Sequence, residues 1–142
     1  MQGDAYRAMM TPWQLNPSMD LRQRVMIIAH DNSLNDILKY ALEAYDFKPI
    51  SCSNYIDALF SPNHRNYDYV IADFDTPVLH AQSSRAEYIR SLRERHPEAI
   101  IIGLSSKDCS MELLRAGAND FMLMPFAPYK LIMMLRGKEL LS

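Results

Sequence analysis

The sequence predicts a single α/β domain in which five parallel strands form one doubly wound sheet with helices on both faces. Short apolar runs recur along the chain, amphipathic segments separate them, and the runs end in polar or turn-forming residues. Strands that alternate with helices in this way are typical of a parallel sheet that is covered on both sides. A chain of 142 residues is long enough for one such core.

The first half of the domain is predicted to begin with a buried strand at residues 25–28. Asn32 or Ser33 is expected to cap the first helix. The apolar face of that helix comprises Leu34, Ile37, Leu38, Ala41 and Leu42. A weaker strand, a short helix that ends before Pro62, and a third buried strand are then predicted at residues 47–52, 54–60 and 69–72.

The second half continues the alternation. A helix, a strand and a helix are predicted at residues 85–93, 99–104 and 111–116, and Gly117 ends the last of these. A fifth strand and a final helix, with Pro128 in its first turn, are predicted at 120–124 and 129–141. Right-handed crossovers favour the strand order 2-1-3-4-5, which is that of a flavodoxin-like (βα)5 three-layer sandwich.

Residues 1–22 lack periodicity and are predicted to be an extension or linker, and residues 23–142 form the domain.

Charge and composition narrow the range of possible functions. A net charge of −2 disfavours direct nucleic-acid binding. No apolar run approaches the ~20 residues of a membrane span, and the N-terminus lacks a signal-peptide core. Cys52 and Cys109 lack metal-site spacing, so we expect a cytoplasmic protein with reduced thiols.

The third strand leads directly into the most informative residue, Asp73. This residue begins the segment Asp73-Phe74-Asp75-Thr76-Pro77. Open parallel sheets bind ligands at the carboxyl ends of their strands. A carboxylate is therefore expected at the edge where such folds carry out their chemistry.

Several short segments together resemble the receiver domain of response regulators, the signalling proteins of two-component systems. They are Asp73 with Pro77 four residues later, the strand end Leu104-Ser105-Ser106, and residues 117–121 leading to Met124-Pro125-Phe126. The resemblance runs from about residue 24 to residue 141. It implies a phosphoryl group transferred from a histidine kinase to an aspartate, with an acidic pair supporting Mg²⁺ and a lysine and a hydroxyl holding the phosphoryl oxygens.

Under this resemblance some functional positions are retained and others are lost. Asp73 matches the phosphoacceptor, Ser105 the hydroxyl and Phe121 the switch aromatic, although Phe121 has no hydroxyl. The acidic pair falls on Ala29 and His30, so it is lost. The lysine falls on Met124 and is lost as well.

These losses predict a degenerate phosphorylation pocket. Ala29 offers no ligand, and the nitrogen of His30 suits Mg²⁺ poorly. Asp31 is the candidate substitute acid, so a metal held by Asp31 and Asp73 would be weak at best, and no cofactor is required. Met124 cannot balance a phosphoryl group, which carries about 1.5 to 2 negative charges. We therefore expect phosphotransfer to be slow or absent, and the side chain of Asp75 need not face the site.

The last helix is apolar around its circumference at Leu131, Ile132, Met133 and Met134. An amphipathic surface helix would show one apolar stripe. The resemblance implies a homodimer or partner interface at the fourth helix, fifth strand and fifth helix, and the alternative is that this helix is deeply buried. The expected partners are proteins, namely a histidine kinase or an effector, with neither nucleic acid nor membrane involved.

Two other functions are kept as alternatives to a non-enzymatic interaction module. The first is a working receiver phosphorylated on Asp73. The second is a phosphatase, because Asp73-Phe74-Asp75-Thr76 is similar to the DxDxT motif of haloacid-dehalogenase-like enzymes, with Asp73 as nucleophile and Asp75 as general acid or base. The mid-chain position of this motif disfavours the phosphatase. The four glycines form no dinucleotide-binding or P-loop motif.

Overall fold

The computed structural model describes residues 20–60, 66–78 and 84–141. The predicted extension therefore lies almost entirely outside the described residues, and the boundary at residue 22 stays a prediction. The first described residues are held to the domain by charge. The Asp20 carboxylate lies 2.8 Å from the Arg22 guanidinium and 3.4 Å from the Lys48 ammonium.

Strands and helices alternate along the whole described chain. The strands are β1 (Arg24–Ile28), β2 (Lys48–Cys52), β3 (Tyr69–Asp73), β4 (Ile100–Ser105) and β5 (Asp120–Leu123). The helices are α1 (Asn32–Ala44), α2 (Tyr55–Leu59), α3 (Arg85–Arg95), α4 (Ser110–Ala116) and α5 (Pro128–Leu141). All strand pairs are parallel, and the order is β2-β1-β3-β4-β5, which confirms the predicted fold and strand order.

Successive residues of the central strands point to opposite faces of the sheet and build two separate cores. In β3, Val70 and Ala72 pack with residues of α2, α3 and α4, whereas Tyr69 and Ile71 pack with residues of α1 and α5. All five residues of β3 are buried. The sheet is therefore covered on both sides, and its polar groups can reach solvent only at its edges.

The element ends follow local chemistry, with one correction. The N-cap of α1 is Asp31, not Asn32 or Ser33, because its Oδ1 accepts the backbone N–H of Ser33 at 2.8 Å and of Leu34 at 3.3 Å. Gly117 ends α4 as predicted, and its φ of 120° is a conformation that residues with a Cβ rarely adopt.

The guanidinium of Arg93 ties three segments together near the end of α3. It donates to the carbonyls of Ala99 at 2.7 Å and Gly117 at 3.0 Å, and also to those of His96 and Pro97. A further bond reaches the side-chain oxygen of Asn119, which also accepts the N–H of Ile101 at 2.8 Å. One side chain therefore fixes the end of α3, the start of β4 and the turn before β5.

The last helix is more deeply buried than a surface stripe would be. Leu131 and Ile132 are each 1% exposed and belong to the core on the α1–α5 side of the sheet. This removes them from the predicted interface, because their side chains fill the space between α5 and the sheet. Met133 is exposed, and Met134 is partly buried against the same core. No helix within the described ranges combines the length and apolar character needed to cross a membrane.

A glycine of β4 gives a test of the packing between the sheet and α4. A Cβ added at Gly103 would lie 2.7 Å from a methyl carbon of Leu113, a side chain that is itself fully buried. We expect Gly103→Ala to lower the free energy of unfolding by about 1–3 kcal/mol through overpacking, as measured by denaturant unfolding.

Gly137 in α5 provides the matched control for this substitution. A Cβ there would have no described atom within 4 Å. Gly137→Ala should therefore raise stability by roughly 0.5–1 kcal/mol through helix propensity. Equal effects of the two substitutions would contradict the close approach of Leu113.

Candidate functional site

The carboxyl edge of the sheet brings together the polar ends of two neighbouring strands. Asp73 ends β3 and Ser105 ends β4, and these strands pair with Asp73 opposite Leu104. Asp73 and Ser105 are 5% and 2% exposed. The sequence predicted both residues at this edge, and the topology places them side by side.

Asp73 is held by groups that surround it on several sides. Its Oδ1 accepts the backbone N–H of Asp75 at 2.9 Å, and the Thr76 hydroxyl also hydrogen-bonds its carboxylate. The Tyr55 hydroxyl donates to the Asp73 carbonyl oxygen at 2.8 Å. The loop that follows the strand therefore fixes the carboxylate, and Tyr55 of α2 fixes the backbone of the same residue.

Burial raises the pKa of Asp73 above its ordinary value. Hydrogen bonds from the Asp75 backbone and from Thr76 oppose this effect, whereas the nearby negative charges of Asp75 and Asp31 add to it. Folding thus disfavours the ionised carboxylate of Asp73.

Asp75 turns toward the site rather than away from it. The Ser105 hydroxyl donates to its Oδ1 at 2.6 Å, and the Ser106 N–H donates to its Oδ2 at 2.7 Å. Although burial acts to raise the pKa of Asp75, the hydrogen bonds from Ser105 and Ser106 bring it below its ordinary value. The retained hydroxyl is therefore already bonded to a carboxylate of the chain itself.

The predicted positions of the lost acidic pair lie directly after β1. Ala29 is fully buried, and its carbonyl accepts the side-chain amide of Asn35. His30 is exposed, and its backbone N–H donates to the Thr76 hydroxyl at 3.0 Å. Asp31, the candidate substitute acid, uses one oxygen to cap α1. None of the three positions presents a free pair of carboxylates to Asp73.

Met124 and Phe121, the two remaining positions that the resemblance assigns, have apolar surroundings. Met124 is partly buried, packs against the core on the α1–α5 side, and lines a cleft that also contains Asp73. Phe121 is partly buried against the opposite core, beside Gly103 of β4. An apolar thioether thus occupies the side of the site where the resemblance implies a lysine.

Sequence reasoning missed the polar supports of the site. Thr76 is 1% exposed and links the loop after β1 to Asp73 through its hydroxyl. Tyr55 is also buried and bonds the backbone at Asp73. The Asp-x-Asp-Thr spacing was a usable signal for Thr76, because an Asp followed by a polar residue in a loop after a strand often builds local hydrogen bonds.

The donor set fits Mg²⁺ poorly. In residues 20–60, 66–78 and 84–138, no group of three His, Cys, Asp or Glu side chains could hold a metal ion. Mg²⁺ requires near-octahedral oxygen coordination. One oxygen of Asp31 caps α1, and both oxygens of Asp75 accept hydrogen bonds from Ser105 and Ser106.

Comparisons with known proteins support the sequence resemblance. The chain is 26% identical over 109 residues to the transcriptional regulatory protein PrrA of Mycobacterium tuberculosis, covering 77% of this chain and 46% of that protein. It is 25% identical over 111 residues to the alkaline phosphatase synthesis transcriptional regulatory protein PhoP of Bacillus subtilis, covering 76% of this chain and 45% of that protein. The chain thus spans about half the length of these relatives.

A solved structure agrees with these sequence relatives. The crystal structure of a response regulator from Thermotoga maritima matches with a TM-score of 0.69 at 26% identity, over 82% of this chain and 96% of that one. No protein-family model matches the chain.

Because the carboxylate of Asp73 is buried, we expect its replacement to increase the stability of the fold in a pH-dependent way. Because folding raises the pKa of Asp73, Asp73→Asn should raise the melting temperature at pH 7. The gain should be absent below the ordinary value of 3.8, grow as the pH rises through the raised pKa, and stay constant above it. Thermal unfolding from pH 3 to pH 8 would measure it.

Asp36→Asn on α1 serves as the control, because Asp36 is exposed. This substitution should change stability by less than about 0.5 kcal/mol at every pH. A loss of stability in Asp73→Asn at pH 7 would mean that the ionised carboxylate stabilises the fold.

Proposed function

We propose that this chain is a response-regulator receiver domain whose phosphorylation pocket is degenerate and that it acts by binding other proteins. The observation that carries the proposal is the bond between Asp75 and Ser105. A phosphoryl group on Asp73 would need the Ser105 hydroxyl, yet that hydroxyl donates to the Asp75 carboxylate at 2.6 Å. The loop after β4 is therefore held by the chain's own negative charge.

Electrostatics support the same proposal. A phosphoryl group would bring about 1.5 to 2 negative charges next to Asp75 and Asp31, and Met124 offers no charge in return. Two unit charges 4 Å apart repel by about 4 kcal/mol at an effective dielectric constant of 20. Transfer to Asp73 is therefore strongly disfavoured without a bound cation, and the proposed activity requires no cofactor.

A phosphatase function receives less support from the geometry. In the DxDxT interpretation, Asp75 would supply a proton to the leaving group. Hydrogen bonds from Ser105 and Ser106 lower the pKa of Asp75, and an acid that is ionised at neutral pH donates protons poorly. We therefore propose a non-enzymatic module in preference to this phosphatase.

The proposed interaction surface is formed by α4, β5 and α5. It exposes large apolar side chains from all three elements, namely Met111, Leu114, Leu123, Tyr129 and Met133. Exposed apolar patches of this kind mark interaction sites, and methionines adapt to varied partners. We propose that this surface supports a homodimer and also receives a histidine kinase or effector protein.

Phosphorylation tests the degenerate pocket directly. Incubation of the chain with acetyl phosphate and Mg²⁺, and separately with Mn²⁺, should give no phosphate adduct in the intact mass. The double variant His30→Asp/Met124→Lys returns an oxygen ligand and a cation to the site, and we expect it to gain an adduct.

Two controls decide the outcome. Asp73→Asn added to the double variant should abolish the adduct, which would place the phosphate on Asp73. An adduct on the unaltered chain that disappears in Asp73→Asn would overturn the degenerate pocket and favour the working receiver. Continuous phosphate release that Asp75→Ala abolishes would favour the phosphatase.

Self-association tests the proposed surface. Leu123→Glu/Met133→Glu should weaken dimerisation by at least about tenfold in sedimentation equilibrium, because each change places a charge in an apolar contact. Tyr40→Glu on α1 is the control, since Tyr40 is exposed outside this surface. Asp73→Asn should leave the dissociation constant within about twofold. Equal loss in both glutamate variants would contradict the assignment of the surface.

A further inference from the structure

A cleft of about 610 Å³ opens beside Asp73, between the start of α1 and the segment that joins β5 to α5. Its wall is built by apolar side chains from both elements, namely Leu34, Ile37, Met124, Pro125 and Phe126. Volumes of 300–1,000 Å³ with mostly apolar walls and a few polar groups are typical of small-molecule sites. The cleft therefore has the size and lining of a ligand pocket.

Carboxylates dominate the charged groups of the cleft. Asp31, Asp73 and Asp75 line it together with His30, and no lysine or arginine of the described residues does. Arg85 does not line the cleft, since its Nε donates to the Thr76 carbonyl oxygen at 3.3 Å, but its positive charge acts on Asp75 and helps to lower the pKa of that carboxyl. The positive potential that a lysine at position 124 would supply is absent, and a thioether extends the apolar wall instead.

The carboxylates of Asp31, Asp73 and Asp75 form an acidic floor, and they line the same cleft as the apolar wall. Ile37 is 52% exposed, so part of the wall faces solvent and would gain from being covered. Asp73 is 5% exposed and belongs to the floor, where a neighbouring cation would favour its ionised form. A neutral ligand would satisfy only the wall, and an anion would be repelled by the floor.

We propose that this cleft binds a small organic cation that joins an ammonium group to an apolar body. The ammonium group lies against Asp73 and Asp75, and the apolar body packs against Ile37, Met124 and Phe126. This inference rests on the proposed function, because a phosphoryl group on Asp73 would occupy the same space.

Matched probes separate the contribution of charge from that of the apolar wall. We would titrate 4-phenylbutylamine, 4-phenylbutanol and 4-phenylbutyrate into the ¹⁵N-labelled chain and follow amide chemical shifts. The amine should bind at least about tenfold more tightly than the alcohol, and the carboxylate more weakly still. The shifts should centre on residues 30–38, 73–77 and 124–128.

Substitutions of Met124 then test where the ammonium group of the ligand binds. Met124→Lys places a competing ammonium in the cleft and should weaken amine binding by at least about tenfold, while binding of the alcohol changes by less than threefold. Met124→Leu keeps the wall apolar and should retain the preference for the amine. Melting temperatures of both variants establish that they fold.

The outcomes are decisive in either direction. Equal affinity for the amine and the alcohol, shifts centred elsewhere, or amine binding unchanged by Met124→Lys would each overturn the proposal. Failure of the amine to bind, combined with an absent phosphate adduct, would remove this ligand and leave the degenerate pocket intact. A phosphate adduct on the unaltered chain would instead remove the proposed function on which the inference rests.

Discussion

The burial of the parallel sheet on both faces is the constraint on which the rest of the molecule depends. With helices against each face, the middle of β3 must be apolar, and the chain carries Val70, Ile71 and Ala72 there. Polar chemistry is then confined to the strand ends. The same constraint that makes the core therefore collects Asp73, Asp75 and Ser105 at a single edge.

At that edge, the chain uses its own carboxylate for contacts that an incoming anion would otherwise make. Asp75 accepts hydrogen bonds from the Ser105 hydroxyl and the Ser106 N–H, and these two bonds hold the loop after β4 against the segment that follows β3. The loop after β1 is held in a similar way through Thr76 and the backbone of His30. Both loops that border Asp73 are thus joined to the segment that follows it.

The sequence predicted the strands and their order because each buried strand is a short apolar run between turn residues. It failed where neighbouring residues offered equivalent chemistry. Asp31, Asn32 and Ser33 can all cap a helix, and only the tertiary position of the loop selects Asp31. In α5, the all-round apolar pattern could not show that Leu131 and Ile132 face the core while Met133 faces solvent.

The direction of the Asp75 side chain was beyond sequence reasoning for a different reason. Its contacts with Ser105 and Ser106 join residues about 30 positions apart, and they depend on the pairing of β3 with β4. The role of Met124 in lining the cleft likewise depends on how the segment after β5 packs beside α1. Such long-range contacts leave no local pattern.

The guanidinium of Arg93 has a consequence for the dynamics of the domain. It bonds to carbonyls at the start of β4 and at the end of α4, and to the Asn119 side chain. Segments that share one anchoring side chain open together rather than separately. The amides of the turn that leads into β5, the edge strand, should therefore exchange with solvent as slowly as those at the start of β4, and this end of the edge strand would be no looser than the strand beside it.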